Sequence, residues 1–320
     1  MNIVGRNDTD RSRLDDAARA GWLYYVAGNT QDQIAGKLGV SRQTAQRLVS
    51  LAVSEGLVRV RLDHPIARCL ELATELKNRY GLDFAEVVPT DPGSSSATIG
   101  LAEAGAAEIE RRLRAPEPAT IAVGTGRTLK AAIEQLPPMA CPQHKVVSLT
   151  GNIAPDGSAA FYNVVFTLSD RVKCRSFPMP LPVIASSSKE REMLHSQPMI
   201  RSTLELAAKA EVTFVGIGDL GPNAPLFEDG FITENELKAL QKAGAAGEIV
   251  GWAFDREGCL IEGVTNDRVA SAPIPSRETG LVVVLGKGER KLPGLRAAAT
   301  RRLVNGLITD EATAEGLLRT

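Results

Sequence analysis

Apolar residues recur at helical spacing over the first sixty residues, and the spacing predicts three short helices. The first covers residues 14–26, the second begins after Thr30 and ends at Gly39, and the third begins after Ser41. Thr30 and Ser41 are favourable N-cap residues, and Gln33 completes a capping box with Thr30. Gly39 supplies the sharp turn between the second and third helices, so this segment is predicted to be a helix–turn–helix.

Polar side chains occupy the face of the third helix that its apolar stripe leaves outside. Arginine and glutamine at the start of such a helix match the donors and acceptors on base edges, which predicts a helix that enters the major groove of duplex DNA. A helical hairpin that serves only packing or dimerisation would explain the apolar spacing but not this polar, basic helix behind a glycine turn. The candidate DNA-contacting residues are Thr30, Gln31, Ser41, Arg42, Gln43, Thr44 and Arg47.

The charges are distributed unevenly between the two ends of the chain. The 320 residues carry a formal net charge of −1, yet residues 1–62 hold nine basic and six acidic residues. A local basic excess therefore accompanies the predicted helix–turn–helix. Residues 57–62 alternate apolar and basic positions and predict a strand, whose Arg59 and Arg61 either approach phosphates or form a solvated edge.

The pattern changes after residue 62, where short Val/Ile-rich runs alternate with helical segments. Strands are predicted over residues 84–88, 120–123, 145–149, 183–185, 212–216, 249–254 and 281–285. Helices are predicted over residues 66–80, 98–113, 128–135, 200–209, 234–242 and 293–303. This order is typical of a mostly parallel sheet covered on both faces. We therefore expect a helix–turn–helix domain over residues 1–62 and a large three-layer α/β domain over residues 63–320.

Glycines and hydroxyl residues follow the predicted strand that ends at residue 123. Gly124 and Gly126 permit close approach of a ligand, Thr125 and Thr128 offer hydroxyls, and Arg127 adds a forked cation. Because a helix begins here, its N–H groups also favour an anion. The loop is interpreted as a phosphate cradle, and a simple tight turn between strand and helix is the alternative.

Further polar residues follow other predicted strands, at the sheet edge where α/β proteins bind their ligands. They are Gly151 and Asn152 after Thr150, Asp219 in a glycine-rich loop, Glu248 and Asp255 on either side of a predicted strand, and Lys291, with Asp156, Ser158, Asn163 and Lys287 nearby in sequence. Singly, each acid could be a solvated or turn-forming residue and each lysine a surface charge. Together they predict one pocket for a polyol and a phosphate, provided that the sheet brings the loops to one edge.

Composition excludes several classes of protein. With 43% hydrophobic residues the chain can bury a large core, so disorder as its main state is excluded. The four cysteines are far apart and form no C-x-x-C pair, and we expect neither a metal site nor a cofactor. A polar N-terminus and the lack of a long apolar run lead us to expect a soluble, cytoplasmic protein with reduced thiols and no membrane contact.

The order of motifs resembles the SorC family of bacterial sugar-responsive transcriptional regulators, sometimes grouped with DeoR. The resemblance rests on residues 24–62, on the Gly-Thr-Gly-Arg-Thr-Leu loop at 124–129, and on a long stretch from residue 215 to 317. It implies a DNA-binding domain joined to an effector domain similar to glucosamine-phosphate and ribose-phosphate isomerases, assembled as a homotetramer. By position it assigns residues 124–128 to the phosphate loop, Gly151 and Asn152 to a second loop, Lys291 to the phosphate and Glu248 and Asp255 to the sugar. The chain departs from its relatives at Lys287, where they often have the first of two adjacent glycines.

The expected function is that of a repressor or activator that binds operator DNA of a carbohydrate catabolic operon. A sugar, polyol or sugar phosphate in the α/β domain would control it, without catalysis. A sugar-phosphate isomerase with an accessory DNA-binding domain is the alternative, and it requires a base that the sequence does not single out among Asp219, Glu248 and Asp255. An RNA-binding or scaffolding protein fits less well, because the basic unit lacks a set of aromatic residues for base stacking.

Overall fold

The computed structural model describes residues 8–58, 60, 66–94, 96, 98–154, 156–159, 164–275, 277–278 and 280–319. The chain divides into two compact units, Met1–His64 and Pro65–Thr320. The division predicted from composition lies two residues earlier, after residue 62. The strand predicted over 57–62 is not formed by its described residues 57, 58 and 60. Its residues 59 and 61–62, with both of its arginines, lie outside the described residues, as does Asn163.

The first unit contains three helices, α1 (Asp8–Tyr25), α2 (Gln31–Leu38) and α3 (Arg42–Ser54). Helix α1 begins six residues before its predicted start, because the polar residues there carry no apolar stripe that would reveal a helix. The three helices share one core, formed by Ala17, Ala20, Ile34, Ala35, Ala45, Leu48, Val49 and Ala52. Small residues dominate this core, so the helices pack closely.

Local hydrogen bonds fix the turn between α2 and α3. The Gln33 backbone N–H donates to Thr30 Oγ1 at 3.3 Å, and the Thr30 N–H donates to Gln33 Oε1 at 2.9 Å, which confirms the predicted capping box. Gly39 adopts φ +66°, the left-handed conformation that a glycine tolerates without a steric penalty. Ser41 caps α3 by accepting the Thr44 N–H at 3.1 Å. Each of these contacts was predicted from residue type and spacing.

The second unit is built on a parallel sheet of seven described strands, in the order β1-β9-β8-β5-β2-β3-β4. These strands are β1 (Phe84–Val88), β2 (Thr120–Val123), β3 (Lys145–Ser148), β4 (Arg175–Phe177), β5 (Val212–Gly216), β8 (Leu281–Leu285) and β9 (Gly306–Asp310). A separate antiparallel hairpin is formed by β6 (Ala245–Ile249) and β7 (Trp252–Asp255). The predicted fold class, an α/β domain behind a helix–turn–helix, is confirmed.

Helices cover both faces of the sheet. On one face lie α5 (Leu101–Leu113), α6 (Arg127–Gln135) and α7 (Val165–Val172). On the other lie α4 (Ala67–Tyr80), α9 (Pro198–Ala208), α12 (Leu292–Thr300) and α13 (Glu311–Leu318). The remaining described helices are α8 (Ser188–Ser196), α10 (Pro225–Glu228) and α11 (Glu234–Lys242).

Strand β8 shows how the sheet divides the core into two layers. Val282 and Val284 belong to the cluster on one face, and Val283 and Leu285 belong to the cluster on the other. Successive side chains of a strand point to opposite faces, so a strand covered on both sides must be apolar throughout. This is why such strands appear in the sequence as uninterrupted apolar runs.

Two strands predicted in the second unit are wrong. Residues 183–185 form only one isolated bridge, between Ile184 and Val269, and the preceding Pro182 forms another with Ile153. The run predicted as one strand over 249–254 reverses direction at Val250 (φ +49°) and Gly251 (φ +92°) and becomes the β6–β7 hairpin. The prediction failed because an apolar run does not show where the chain turns, and valine with a positive φ is an unusual turn residue.

Candidate functional site

A cavity of about 580 Å³ opens at the carboxyl edge of the parallel sheet. It lies where the strand order changes direction, between β2 and β5, which are neighbours in the sheet but far apart in sequence. Open α/β sheets bind ligands at such a switch point. The loops that follow β2, β3, β5 and β8 all contribute to the lining, together with the β6–β7 hairpin and the α10 segment.

The loop after β2 leads directly into α6 and contributes Thr125, Gly126, Arg127 and Thr128 to the cavity. Gly126 adopts φ +128°, and an added Cβ would meet nothing within 4 Å, so the glycine is required by backbone conformation beside open space. Thr128 is buried in the first turn of α6. The first N–H groups of a helix have no partner within the helix, which makes this end of the cavity favourable for an electronegative group.

Gly124 has a different role from the one predicted. An added Cβ would lie 2.9 Å from Val250 Cγ1 and 3.3 Å from Val215 Cγ1, and the Gly124 N–H donates to the Phe214 carbonyl at 2.8 Å. Gly124 lies outside the described cavity lining. Its small size therefore serves the packing of β2 against β5 and the hairpin rather than the approach of a ligand.

Arg127 lies opposite an acidic pair at the mouth of the cavity. Its guanidinium is 3.6 Å from a Glu228 carboxylate oxygen and 3.9 Å from one of Asp229. Burial raises the pKa of the Asp229 carboxyl, and the Arg127 charge opposes this rise. The cation predicted to bind phosphate thus already faces two carboxylates of the chain.

A cluster of charged groups, Asp219, Glu248 and Lys291, lies deeper in the cavity. The Glu248 carboxylate accepts the Gly251 N–H at 2.8 Å, and Gly218 exchanges two backbone hydrogen bonds of 3.0 Å with Glu248. Burial raises the pKa of the Glu248 carboxyl, which the Gly251 N–H and the Lys291 charge oppose. Burial also lowers the pKa of the Lys291 ammonium, against the attraction of Asp219 and Glu248. The sheet edge therefore brings together three residues that the sequence separates by 72 positions.

The loop after β3 contributes Thr150 and Gly151. Thr150 is 3% exposed, and its hydroxyl has no hydrogen-bond partner among the described residues. A Cβ at Gly151 would lie 2.4 Å from the Leu181 carbonyl oxygen, so this glycine is needed where two loops pass closely. Asn152 lies outside the described lining, with its Oδ1 buried and without a partner in the described structure.

Asp255 is not brought to the cavity. Its carboxylate accepts the N–H of Glu257 at 3.0 Å and of Cys259 at 2.8 Å, so it closes the turn that follows β7. Asp255 does not join Glu248 because it pairs with Ala245 at the open end of the hairpin, whereas Glu248 lies next to the turn. Lys287 is also absent from the lining. It donates to the Ile99 carbonyl at 3.1 Å and lies 3.9 Å from Asp310.

The acidic pair Glu228–Asp229 and Arg290 also line the cavity, although the sequence did not predict them as site residues. Asp156 and Ser158 line it as well, and the Ser158 hydroxyl donates to Asp156. The acidic pair ends the short helix α10 and precedes Gly230, so the sequence alone shows only a polar turn. A search for acidic pairs before a glycine in the segment between two strands would have found it.

The face of α3 predicted to contact DNA is exposed in the first unit. The exposed residues are Ser41, Arg42, Gln43, Thr44 and Arg47; at the start of α2, Thr30 is exposed and Gln31 is half-buried. The Ser41 and Thr44 hydroxyls bond to each other at 2.9 Å, and Arg42 lies 3.5 Å from Asp32. Arg47 lines a shallow surface groove together with Arg13 of α1, Gln43 and Gln46.

Cysteines and histidines do not form a metal site among the described residues. Cys69, Cys141 and Cys174 are buried, whereas Cys259 is exposed. Within the described chain, no helix has the length and apolar character needed to cross a bilayer.

Residues 64–319 match the family described as "Putative sugar-binding domain". The chain belongs to this family, and its curated relatives are transcriptional regulators. The resemblance found in the sequence is confirmed.

Two relatives and one solved structure are similar to the chain over nearly its whole length. The chain is 32% identical over 302 residues to the erythritol catabolism regulatory protein EryD of Brucella abortus (strain 2308), covering 94% of this chain and 96% of that one. It is 28% identical over 313 residues to the deoxyribonucleoside regulator of Bacillus subtilis (strain 168), covering 97% and 99%. The full-length sorbitol operon regulator SorC of Klebsiella pneumoniae shares the fold, with a TM-score of 0.70 at 24% identity over 96% of this chain and 100% of that one.

Proposed function

We propose that this protein regulates transcription of a carbohydrate catabolic operon, by binding operator DNA through α3 and a sugar, polyol or sugar phosphate through the cavity of the second unit. The observation that supports the ligand site most strongly is the meeting of Thr128, Thr150, Asp219, Glu248 and Lys291 at the switch point of the sheet. Hydroxyls, carboxylates and an ammonium group in one cavity are the partners that a polyhydroxylated ligand requires.

DNA binding by the first unit follows from the arrangement of α2 and α3. The capped turn at Gly39 orients α3, whose apolar side is buried in the core and whose polar side is exposed. The N-terminal residues of a recognition helix read base edges, while neighbouring basic groups contact phosphates. Arg42 stands at the start of α3 and Arg47 lies one turn and a half further along, so both can reach one major groove.

Substitution of Arg42 and Arg47 tests the DNA-binding surface. An operator fragment is first selected from a random duplex library by the full-length protein, and binding is then measured over a range of salt concentrations. Arg42→Ala and Arg47→Ala should each weaken binding by roughly tenfold or more, which corresponds to about 1–3 kcal/mol for a base contact. Arg19→Ala removes an equal charge from an exposed position of α1 and is the control. Affinities that match the control would exclude α3 as the reading helix.

A panel of sugars, polyols and their phosphates tests the ligand site. A ligand that binds only the folded protein raises the unfolding midpoint by mass action. We expect one chemical series to raise the midpoint and to change operator affinity, because the ligand favours one arrangement of the protein over another. A panel without any effect on either measurement would contradict the proposed control by a carbohydrate.

We infer that the second unit binds its ligand without converting it. The deep cluster does contain an acid of raised pKa, Glu248, beside Lys291, which is the arrangement that the isomerase alternative needs. After each ligand that binds has been incubated with the protein, we expect the NMR spectrum of the mixture to show the unchanged ligand. Conversion that disappears in Glu248→Gln would establish the isomerase activity instead.

A homotetramer is also part of the proposal, on the basis of the resemblance to SorC-type regulators. One chain has a mass of 34.1 kDa. Sedimentation equilibrium of the full-length protein should therefore give a mass about four times that of the chain. A monomer at micromolar concentration would contradict this part of the proposal.

A further inference from the structure

Carboxylates outnumber basic groups among the described residues that line the cavity. The carboxylates are Asp156, Asp219, Glu228, Asp229 and Glu248, and the basic groups are Arg127, Arg290 and Lys291. The lining therefore carries an excess of two negative charges when all eight groups are ionised. A site that holds a phosphate dianion normally has the opposite balance.

The two cations best placed to receive a phosphate are already matched by carboxylates. At the mouth, the Arg127 guanidinium lies 3.6 Å from Glu228 and 3.9 Å from Asp229. In the deep cluster, Lys291 is attracted by Asp219 and Glu248. A phosphate placed beside either cation would also lie beside two carboxylates, and its own charge would be repelled by them.

The same groups suit an uncharged ligand. A carboxylate is an acceptor only, whereas each hydroxyl of a polyol can donate one hydrogen bond and accept others. The Thr150 hydroxyl is nine-tenths or more buried, lines the cavity and has no partner among the described residues, so a ligand hydroxyl can satisfy it. Phosphate oxygens, which accept hydrogen bonds at neutral pH, can satisfy none of the carboxylates.

The buried ionisable groups do not reverse this balance. Burial raises the pKa of the Glu248 and Asp229 carboxyls, and a proton on both would bring the lining to neutrality without making it positive. Burial lowers the pKa of the Lys291 ammonium, so any loss of its proton would make the cavity more negative.

We propose that the cavity selects an uncharged polyol or sugar, and that the acidic pair Glu228–Asp229 excludes the phosphorylated form of the same molecule. This inference rests on the proposed function, since it names the chemical class of the effector. It assigns to the glycine loop and the start of α6 the recognition of hydroxyl oxygens rather than of a phosphate.

Isothermal titration calorimetry with matched pairs of ligands tests the proposal on the full-length protein. The pairs are erythritol and erythritol 4-phosphate, ribitol and ribitol 5-phosphate, and sorbitol and sorbitol 6-phosphate. In the pair that binds most tightly, the polyol should bind at least tenfold more tightly than its phosphate. The double variant Glu228→Gln/Asp229→Asn removes both mouth carboxylates and should raise the affinity for phosphate relative to polyol at least tenfold.

A second double variant, Glu257→Gln/Glu262→Gln, controls for the general change of charge. It removes two exposed carboxylates that are not part of the cavity lining, so the affinity ratio should stay at the wild-type value. Wild-type protein that binds a phosphate as tightly as its polyol would overturn the inference while the proposed function stands. An unchanged ratio in Glu228→Gln/Asp229→Asn would overturn the role of the acidic pair. Failure of every ligand, charged or not, to bind at millimolar concentration would contradict both the inference and the proposed carbohydrate effector.

Discussion

A single methyl group at Gly218 should displace the Glu248 carboxylate from its position in the cavity. A Cβ at this position would lie 2.1 Å from Glu248 Oε1 and 3.0 Å from its Cδ. A carbon and an oxygen without a bond between them require about 3.5 Å, so the carboxylate must move by more than an ångström. Gly218 itself is held by two backbone hydrogen bonds to Glu248, so the backbone cannot simply move aside.

The cost follows from the contacts that this displacement breaks. The Glu248 carboxylate would lose the Gly251 N–H that it accepts at 2.8 Å, and a hydrogen bond to a charged group contributes about 1.5–3 kcal/mol. Overpacking of a filled site costs about 1–3 kcal/mol more. Gly218→Ala should therefore lower the free energy of unfolding of the second unit by about 2.5–6 kcal/mol. For a unit of this size, that is a decrease in Tm of about 5–24 °C.

Thermal unfolding followed by circular dichroism measures this change without any knowledge of the ligand. The double variant Gly218→Ala/Glu248→Ala provides the internal test, because removal of the obstructing carboxylate should recover part of the lost stability. If Gly218→Ala alone unfolds at the wild-type temperature, the contact between these two residues is not what requires glycine. The same conclusion follows if the double variant loses as much stability as the two single variants, Gly218→Ala and Glu248→Ala, lose together.

Two further predictions concern the first unit and the pH dependence of the second. An added Cβ at Gly21 would lie 2.6 Å from Val58 Cγ2, so Gly21→Ala should destabilise the helix–turn–helix by about 1–2 kcal/mol in urea denaturation. Gly36 lies on a helix beside open space, so Gly36→Ala should stabilise the unit by up to about 1 kcal/mol. Equal effects of the two substitutions would refute the close packing at Gly21. Burial raises the pKa of Glu248 above its ordinary 4.5, so this group stabilises the folded unit below that pH and its contribution is lost as the pH rises through the folded pKa. Glu248→Gln should flatten the fall in stability that begins as the pH rises above 4.5, and an unaltered slope would contradict the assignment.

The elements that could be predicted are those whose own few residues indicate whether they are buried or how they begin. The strands β2, β5 and β8 are bounded as predicted because each is a short, mainly apolar run whose side chains are mostly buried. Strand β1 is also bounded as predicted, although it is largely half-buried at the edge of the sheet. The capping box at Thr30 is visible because it needs only two side chains, three residues apart. In both cases the information lies within a few residues, so no knowledge of the tertiary structure is required.

Three of the elements that were missed lack such local information. Helix α8 has no buried residue, so it shows no apolar stripe, and β4 is three residues long at the edge of the sheet. The β6–β7 hairpin was read as one strand because its turn uses Val250 with a positive φ. Asp255 was consequently assigned to the pocket, although it closes a turn on the other strand.

The charge of the ligand is likewise a property that local sequence alone does not predict. The sequence from Gly124 to Thr128, considered alone, predicts an anion site, because glycines, hydroxyls, an arginine and the start of a helix all favour negative charge. The residues that change this preference, Glu228 and Asp229, lie about a hundred positions later and reach Arg127 only through the crossing of the chain from β4 back to β5. A binding preference is set by the sum of charges around the ligand, and that sum depends on which loops the topology places together. We therefore propose that the loop motif marks where the ligand binds, and that the distant carboxylates determine whether that ligand carries a charge.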